Sequence, residues 1–255
     1  MGHFKSASKH KFLSWMFFQR GDIPAITGYA PKRHKKCLDL MILKKAQSYE
    51  LSTQRTLGLL DTEFNNNNGF IGRKATDNGI RLKSIAEEQF ARPGRSALEE
   101  VVTKRCVIDH QQSLRQCFAL TSCDLAGCYD RIVHTAAALA LLRIGIPHSR
   151  IKSMFSTIQK MSHRIKTVYG ESEITYGGDD LGSWENYPQG VIQGNASGPA
   201  IWLTLSSVIF DILHKRGFIA NIISSVSKQL FTLVGFVYVD DCDLIQVGDN
   251  PVSVL

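Results

Sequence analysis

Two adjacent carboxylates, Asp240 and Asp241, stand in the middle of the apolar segment FTLVGFVYVDDCDLIQ at 231–246. A carboxylate in a buried strand is costly unless it is paired or bound to a cation. Three explanations are open: a tight turn, pairing with Lys or Arg, or binding of divalent metal ions. Turn chemistry favours Asp-Gly or Asn-Gly, and two like charges repel unless a positive charge lies between them. The pair therefore favours a metal site.

A third carboxylate, Asp124, ends another apolar segment, CFALTSCDL at 117–125. If the two segments are neighbouring strands, Asp124 and Asp240 face a common point. Two Mg²⁺ ions about 3.5–4 Å apart, bridged by such acids, are the basis of nucleotidyl transfer. One ion activates the attacking 3′-hydroxyl and the other steadies the triphosphate. Mn²⁺ is an alternative to Mg²⁺.

Strands and helices that do not alternate regularly must position these acids, so α+β is the predicted class. Residues 1–35 are predicted to be irregular because Gly and Pro interrupt them, and 36–50 and 71–90 are predicted to be helical. An amphipathic helix is predicted at 95–115 from its apolar Leu98, Val101 and Val102. The remaining predictions are a buried strand at 117–125, helices at 129–145, 149–165 and after Pro199, a hairpin at 166–177, and two strands around Asp240-Asp241.

Three motifs in order resemble the palm of reverse transcriptases: CDLAGCYD, PQGVIQGNASGPAIW and FVYVDD. They match the family's first Asp motif, its Gln-Gly template motif and its Tyr-x-Asp-Asp hairpin. QRTLGLLDTEFN at 54–65 resembles the fingers segment, and EEQFARPGRSALEEVV at 87–102 is similar to a segment of retroelement polymerases. The resemblance covers roughly residues 40–246 and is to the non-LTR and group II-intron type.

This resemblance implies a right-hand polymerase fold of fingers and palm, without a thumb. The expected divisions are a basic segment at 1–40, fingers at 41–116 and a palm at 117–255 that stops after the catalytic hairpin. The implied activity is RNA-directed DNA polymerisation, with an RNA template, a DNA or RNA primer and deoxynucleoside triphosphates as partners. The chain is thus expected to be a retroelement fragment.

The resemblance also assigns the metal ligands. Asp124 and Asp240 would be the main ligands, Asp241 would have a weaker role, and the Leu125 carbonyl could also touch a metal. Asp243 has no counterpart role and is predicted to be a solvent-facing strand residue. Asp130 is predicted to begin or cap the following helix and to pair with Arg or Lys.

The nucleotide and template contacts are implied in the same way. Gln193 offers an amide and Gly194 permits close backbone approach. The spacing to Pro199 favours this pair over the second Gln-Gly, at 189–190. Relatives read Ser-Pro where this chain has Gly198-Pro199, which puts any contact of that hydroxyl in doubt.

Cations and an aromatic ring complete the implied nucleotide site. Arg55 would contact the triphosphate bidentately. Lys45, or its neighbour Lys44, would supply a second cation. Tyr129 would lie beneath the incoming sugar and exclude a 2′-hydroxyl.

The chain of 255 residues carries a net charge of +7, concentrated at its start. Residues 1–55 hold eleven Lys and Arg against three acids, which suggests contact with a polyanion. No apolar run approaches the ~20 residues of a membrane span, and the N-terminus lacks the pattern of a signal peptide. The six cysteines form no disulfide-like framework, so an intracellular protein is expected.

Two other functions remain open from the sequence. An RNA-dependent RNA polymerase shares the palm and the metals, although its hairpin usually reads Gly-Asp-Asp. A catalytically inactive remnant could retain every motif and only bind RNA through its basic segment.

Overall fold

The computed structural model describes residues 9–44, 50, 53–125, 127–178, 189–224 and 226–248. Helices and strands are mixed along the chain, which confirms the α+β class. The chain divides into two compact units: unit 1 is Met1–Lys74 with Tyr129–Gly198, and unit 2 is Ala75–Cys128 with Pro199–Leu255. Among the described helices, none has the length and apolarity needed to cross a bilayer.

The elements are numbered in chain order. The helices are α1 (Lys11–Thr27), α2 (Thr62–Arg81), α3 (Ala97–Ser113), α4 (His134–Arg143), α5 (His148–Gln159) and α6 (Gly198–Lys215). Short 3₁₀ turns occupy Lys32–Lys35 and Cys128–Arg131. The strands are β1 (Lys36–Leu43), β2 (Gln54–Leu60), β3 (Cys117–Asp124), β4 (Ser162–Thr167), β5 (Gly170–Glu171), β6 (Tyr176–Gly177), β7 (Ala220–Ile223), β8 (Leu230–Leu233), β9 (Gly235–Tyr238) and β10 (Asp241–Gly248).

Unit 1 contains a five-stranded sheet with β1 at its centre. β1 pairs antiparallel with β2 and parallel with β4, while β5 and β6 both pair with β4. The helical prediction for 36–50 is therefore wrong over β1. Strand formation there depends on pairing with β2, which follows closely, and with β4, which is distant in sequence, and local helix preference registers neither pairing. The hairpin predicted from 166–170 and 173–177 is confirmed only in part: 166–167 pairs with 170–171, whereas 176–177 pairs with 162–163.

The prediction that residues 1–35 are irregular is also wrong, because α1 forms there and packs on α5. Pro24 lies inside α1 and cannot donate a backbone hydrogen bond. The Asn67 side chain of α2 donates to the Gly21 carbonyl at 3.2 Å, so a neighbouring helix supports the interrupted turn. α1 ends at Gly28, whose φ of +70° closes the helix.

Unit 2 contains the three-stranded sheet β3-β10-β9 and the separate hairpin β7–β8. Its core includes Ala86, Phe210, Val234 and Val237. Residues 88–90 run beside β9, because Val237 donates to the Glu88 carbonyl and accepts from Phe90. This pairing fixes β9 before the chain turns into β10.

Two burial predictions for unit 2 fail. The helix at 95–115 is confirmed as α3, yet Leu98, Val101 and Val102 are exposed and its Glu100 and Gln111 are buried. β3 is a strand as predicted, but its residues are half-buried or exposed. β3 lies at the edge of its sheet, where the described chain supplies one strand neighbour instead of two.

Helix bounds differ from the sequence-based ones mainly at the ends. α6 follows Pro199 as predicted, whereas α4 begins only at His134 and α5 ends at Gln159, where β4 takes over. α2 covers part of the helix predicted at 71–90 and starts earlier. Its first turn is capped by Asp61, whose carboxylate accepts from the backbone of Glu63 and Phe64.

Candidate functional site

Asp240 lies in the tight turn between β9 and β10. Tyr238 pairs with Asp241, so Val239 and Asp240 are the two turn residues. Val239 has a φ of +59°, which a β-branched residue adopts only when its surroundings impose it. The indole Nε1 of Trp202, on α6, donates to the Val239 carbonyl at 2.5 Å and holds this turn. Trp202 was not singled out in the sequence, because nothing local distinguishes it from a core residue of an apolar helix.

Asp124 is the last residue of β3 and is the pairing partner of Asp241 in β10. The Leu125 backbone N–H donates to the Asp240 carbonyl at 3.4 Å. Unit 2 therefore brings together all four residues that the sequence assigned to metal binding. It does so by strand register alone, since β10 pairs with β3 over its whole length.

The three aspartates Asp124, Asp240 and Asp241 are exposed, so the burial cost suggested by their apolar surroundings does not apply to them. In the described part of the chain, none of them has a Lys, Arg or His partner within 4.0 Å. Their like charges are therefore not neutralised by an ion pair, and oxygen-only donors suit Mg²⁺.

The three aspartates are not among the groups of described residues whose ligand atoms all lie within 4.8 Å of one another. Their carboxylate oxygens are nevertheless the type of donor that Mg²⁺ prefers.

Asp243 is the carboxylate that is buried, at 8% exposure, which corrects the prediction that it faces solvent. Its carboxylate accepts from Lys104 Nζ at 2.5 Å and from Ser122 Oγ at 2.6 Å. Lys104 lies on α3 and Ser122 on β3, so Asp243 ties both elements to β10. Glu100, also buried on α3, lies near this ion pair, and burial raises its pKa.

The Lys104–Asp243 pair should make stability depend on pH. Burial alone would raise the pKa of Asp243, but the bonds from Lys104 and Ser122 outweigh it and lower that pKa below its usual value. The same bond to Asp243 raises the pKa of Lys104. The stabilisation by Asp243 is therefore complete above its unfolded pKa of about 4 and is lost as the pH falls through the lower, folded pKa.

We expect Lys104→Met to destabilise unit 2 by about 2 kcal/mol at pH 7. The loss should shrink toward acid pH, where Asp243 is protonated and the pair no longer exists. Thermal unfolding midpoints of wild type and variant between pH 3 and 8 measure the difference. Lys152→Met, an exposed lysine on α5, is the matched control. A Lys104→Met deficit that does not change with pH would contradict the ion-pair explanation.

Unit 1 positions the residues assigned to nucleotide and template. Arg55 is exposed on β2 and has no ion-pair partner in the described residues. On the same strand, the Gly58 N–H donates to the Gln193 carbonyl at 2.7 Å. β2 therefore holds the Gln193-Gly194 loop near the strand that carries Arg55.

Gly194 meets β2 at very close range. Its φ is +113°, and a Cβ built on it would lie 2.3 Å from the Gly58 carbonyl oxygen. Asn65, on α2, secures the other side of the loop: its amide donates to the Gly194 carbonyl at 3.1 Å and accepts from the Ala196 N–H at 2.7 Å. Asn65 was also missed in the sequence, where it appears only as the first of four asparagines.

Gly194→Ala should therefore lower the free energy of unfolding by about 2–4 kcal/mol, because it combines a strained φ with a backbone clash. Gly170→Ala is the matched control, because Gly170 also has a positive φ but nothing lies within 4 Å of its Cβ position. That control should cost only about 1–2 kcal/mol. Thermal unfolding of the two variants measures the difference, and equal losses would show that the approach of β2 to Gly194 is not tight.

The Tyr129 side chain is half-buried in the 3₁₀ turn, and a Cβ on Gly198 would lie 3.5 Å from its ring. That distance is an ordinary contact, so a Cβ at position 198 would fit. The Tyr129 carbonyl accepts from Val191 at 2.8 Å. Gly190, of the alternative Gln-Gly pair, has a φ of +82° and no room for a Cβ beside Asp130.

Of the two lysines predicted to contact the triphosphate, only Lys44 is among the described residues. Lys45 lies outside the described residues. Lys44 lies near enough to Asp130 to oppose the rise in the pKa of Asp130 that burial causes. Asp130 itself lies in the 3₁₀ turn before α4.

Comparisons with known proteins bear on the fold. No protein-family model matches the chain, and neither does any curated protein. Among solved structures it is similar to apo telomerase from Candida tropicalis truncated from its C-terminal domain, with a TM-score of 0.54, 12% identity and coverage of 88% of this chain and 46% of that chain.

Telomeric-RNA complexes match as well. Candida tropicalis telomerase bound to the TWJ fragment of telomeric RNA has a TM-score of 0.53 and 12% identity over 92% of this chain and 40% of that chain. The corresponding Candida albicans complex has a TM-score of 0.47 and 11% identity over 92% and 42%. The chain spans less than half the length of these structures. Telomerase is a reverse transcriptase, and the two Candida tropicalis matches show that the chain has a reverse-transcriptase-like fold.

Proposed function

We propose that the chain is the RNA-directed DNA polymerase region of a retroelement related to the non-LTR and group II-intron type. Unit 2 would contribute palm elements, and β1–β2 of unit 1 would contribute fingers. The observation that carries the proposal is the register of β3 and β10, which sets Asp124 beside Asp241 at the hairpin turn of Asp240. In a reverse-transcriptase-like fold, this is the arrangement expected for nucleotidyl transfer.

Each assigned residue then has a chemical role. Asp124, Asp240, Asp241 and the Leu125 carbonyl would hold two Mg²⁺ ions, or Mn²⁺ in their place. When bound, these ions supply activation of the primer 3′-hydroxyl and stabilisation of the triphosphate charge. Trp202 and the Lys104–Asp243 pair keep the hairpin in place, so the carboxylates do not need to reorganise.

The substrate would be handled by residues of unit 1. Arg55 and Lys45 would contact the triphosphate, Gln193 and Gly194 would contact the template or the incoming nucleotide, and Tyr129 would select the sugar. The excess of basic residues in 1–55 favours an RNA template as the polyanionic partner.

Primer extension tests this function. A labelled primer on an RNA template, with Mg²⁺ and either dNTPs or rNTPs, should be extended with dNTPs. Extension only with rNTPs would assign the chain to the RNA polymerases. RNA binding without extension in either mixture, under Mg²⁺ or Mn²⁺, would favour an inactive RNA-binding remnant.

A further inference from the structure

A buried group of metal-ligating side chains, none of them assigned to polymerisation, lies in the sheet of unit 1. Cys37 and Asp39 are two apart on β1, so they project from the same face of the strand. His163 of β4 is the parallel partner of Cys37, and Tyr176 of β6 is the partner of His163. Three neighbouring strands therefore bring a thiol, a carboxylate, an imidazole and a phenol to one place.

The ligand atoms are already close. The Cys37 sulfur, an Asp39 oxygen and a His163 nitrogen all lie within 4.8 Å of one another. Cys37 Sγ is 3.4 Å from Asp39 Oδ1, and His163 Nδ1 is 3.0 Å from Asp39 Oδ2. Two ligand atoms on one tetrahedral zinc ion are separated by about 3.3–3.6 Å, given bonds of about 2.0–2.3 Å.

The charges at this group also favour a cation. Asp39 is 3% exposed, and its only ion-pair partner among the described residues is His163, which is 6% exposed. Its carboxylate accepts hydrogen bonds from His163 and Tyr176. A buried anion without a Lys or Arg partner is costly to maintain.

The imidazole of His163 is held for ligation through Nδ1. Its ring stacks on Tyr176 with centroids 5.0 Å apart. Its Nε2 is buried and makes no hydrogen bond in the described structure. No other acceptor therefore competes with Asp39 in orienting the ring.

We propose that Cys37, Asp39 and His163 form a zinc site. A thiolate and an imidazole select Zn²⁺ over Mg²⁺ or Ca²⁺, which prefer oxygen ligands only. Tyr176 donates to Asp39 and positions that ligand from outside the coordination sphere.

Metal binding at this site releases a proton. The Cys37 thiol loses its proton to solvent when the Zn–S bond forms, and the His163 proton on Nδ1 moves to Nε2 so that the neutral imidazole can bind. Zinc affinity should therefore fall as the pH is lowered.

In the second close cluster, His34 with Asp61 and Glu63, both carboxylates already have other partners. Glu63 already pairs with Arg20 and Arg33. Asp61 Oδ1 is used to cap α2. An ion there would have to displace two arginines and a helix cap, whereas Asp39 has no Lys or Arg partner among the described residues.

The test uses the full chain, stripped of metal with a chelator and then titrated with Co²⁺ and Zn²⁺. We expect one strongly bound ion, a thiolate-to-Co²⁺ charge-transfer band, and displacement of Co²⁺ by Zn²⁺. Cys37→Ser and His163→Gln should each weaken binding by about 100-fold or more. Cys106→Ser changes an exposed cysteine and should bind as wild type does.

One further variant and a direct readout keep the outcome unambiguous. Asp240→Asn should retain the site, which separates it from the proposed polymerase metals, so failure of either proposal is distinguishable. In the wild type, native mass spectrometry should show one Zn²⁺ bound per chain and its loss on addition of a chelator; this needs no variant to fold. Absence of a tightly bound ion, or a Co²⁺ band that persists in Cys37→Ser, would overturn the proposal and leave a hydrogen-bonded polar cluster only.

Discussion

Asp240→Asn and Asp124→Asn should each lower Mg²⁺-dependent primer extension by about 100-fold or more. Asn preserves the shape of the side chain but removes the negative charge that ligates the metal. Both residues are exposed at the β3–β10 edge and neither forms an ion pair in the described chain, so their loss should leave the fold intact. The assay is single-turnover extension on an RNA template.

The control for these variants is Asp77→Asn, which changes an exposed aspartate on α2. It should extend primers at the wild-type rate. Mn²⁺ binding, followed by its paramagnetic resonance signal, gives a readout independent of activity and should weaken in both active-site variants. More than a few per cent of activity retained in Asp240→Asn would contradict the assignment of the metal ligands.

Tyr129→Ala should raise the preference for ribonucleotides by about tenfold or more. The proposed role of the ring is to occupy the space that a 2′-hydroxyl would need, and this group alone distinguishes ribose from deoxyribose. Removing a clash relaxes the selection without creating new affinity. The measurement is the ratio of kcat/KM for a dNTP and its matching rNTP, in wild type and variant.

Tyr129→Phe is the matched control for sugar selection. It keeps the ring that packs beside Gly198 and removes only the hydroxyl, so the wild-type ratio should persist. An unchanged ratio in Tyr129→Ala would remove Tyr129 from sugar selection. A wild-type preference for rNTPs would instead point to an RNA polymerase.

Local signals in the sequence located the hairpin that carries Asp240 and Asp241, and the strand that ends at Asp124. The apolar segment before Asp124 is β3, which ends at that acid. The apolar segment before Asp240 is β9, and Asp240 lies in the turn that follows it. α6 was located in the same way, since Pro199 suits a first helical turn. These features depend on residues that are adjacent in the chain, which is why a pattern could reveal them.

The burial of Asp243 could not be predicted from neighbouring residues in the sequence. Asp243 appeared to be one more strand residue, but Lys104 lies far away in sequence and reaches it only when α3 packs on the sheet. Conversely, the apolar Leu98, Val101 and Val102 of α3 face outward, although their spacing resembles that of a core-facing helix. Periodicity shows that a helix has two faces, and tertiary packing decides which one is covered.

The sequence by itself determined the order of the palm-like motifs, the carboxylates at two strand ends, the basic N-terminal quarter and the α+β class. Tertiary structure alone decided that β1 is a strand, that Asp124 pairs with Asp241, that Trp202 holds the Val239 turn, and that Cys37, Asp39 and His163 meet. The physical reason is range: turns, caps and helix starts are set by near neighbours, whereas strand pairing joins segments far apart in the chain. Strand pairing stabilises the fold only after the entropic cost of closing the intervening loop has been overcome.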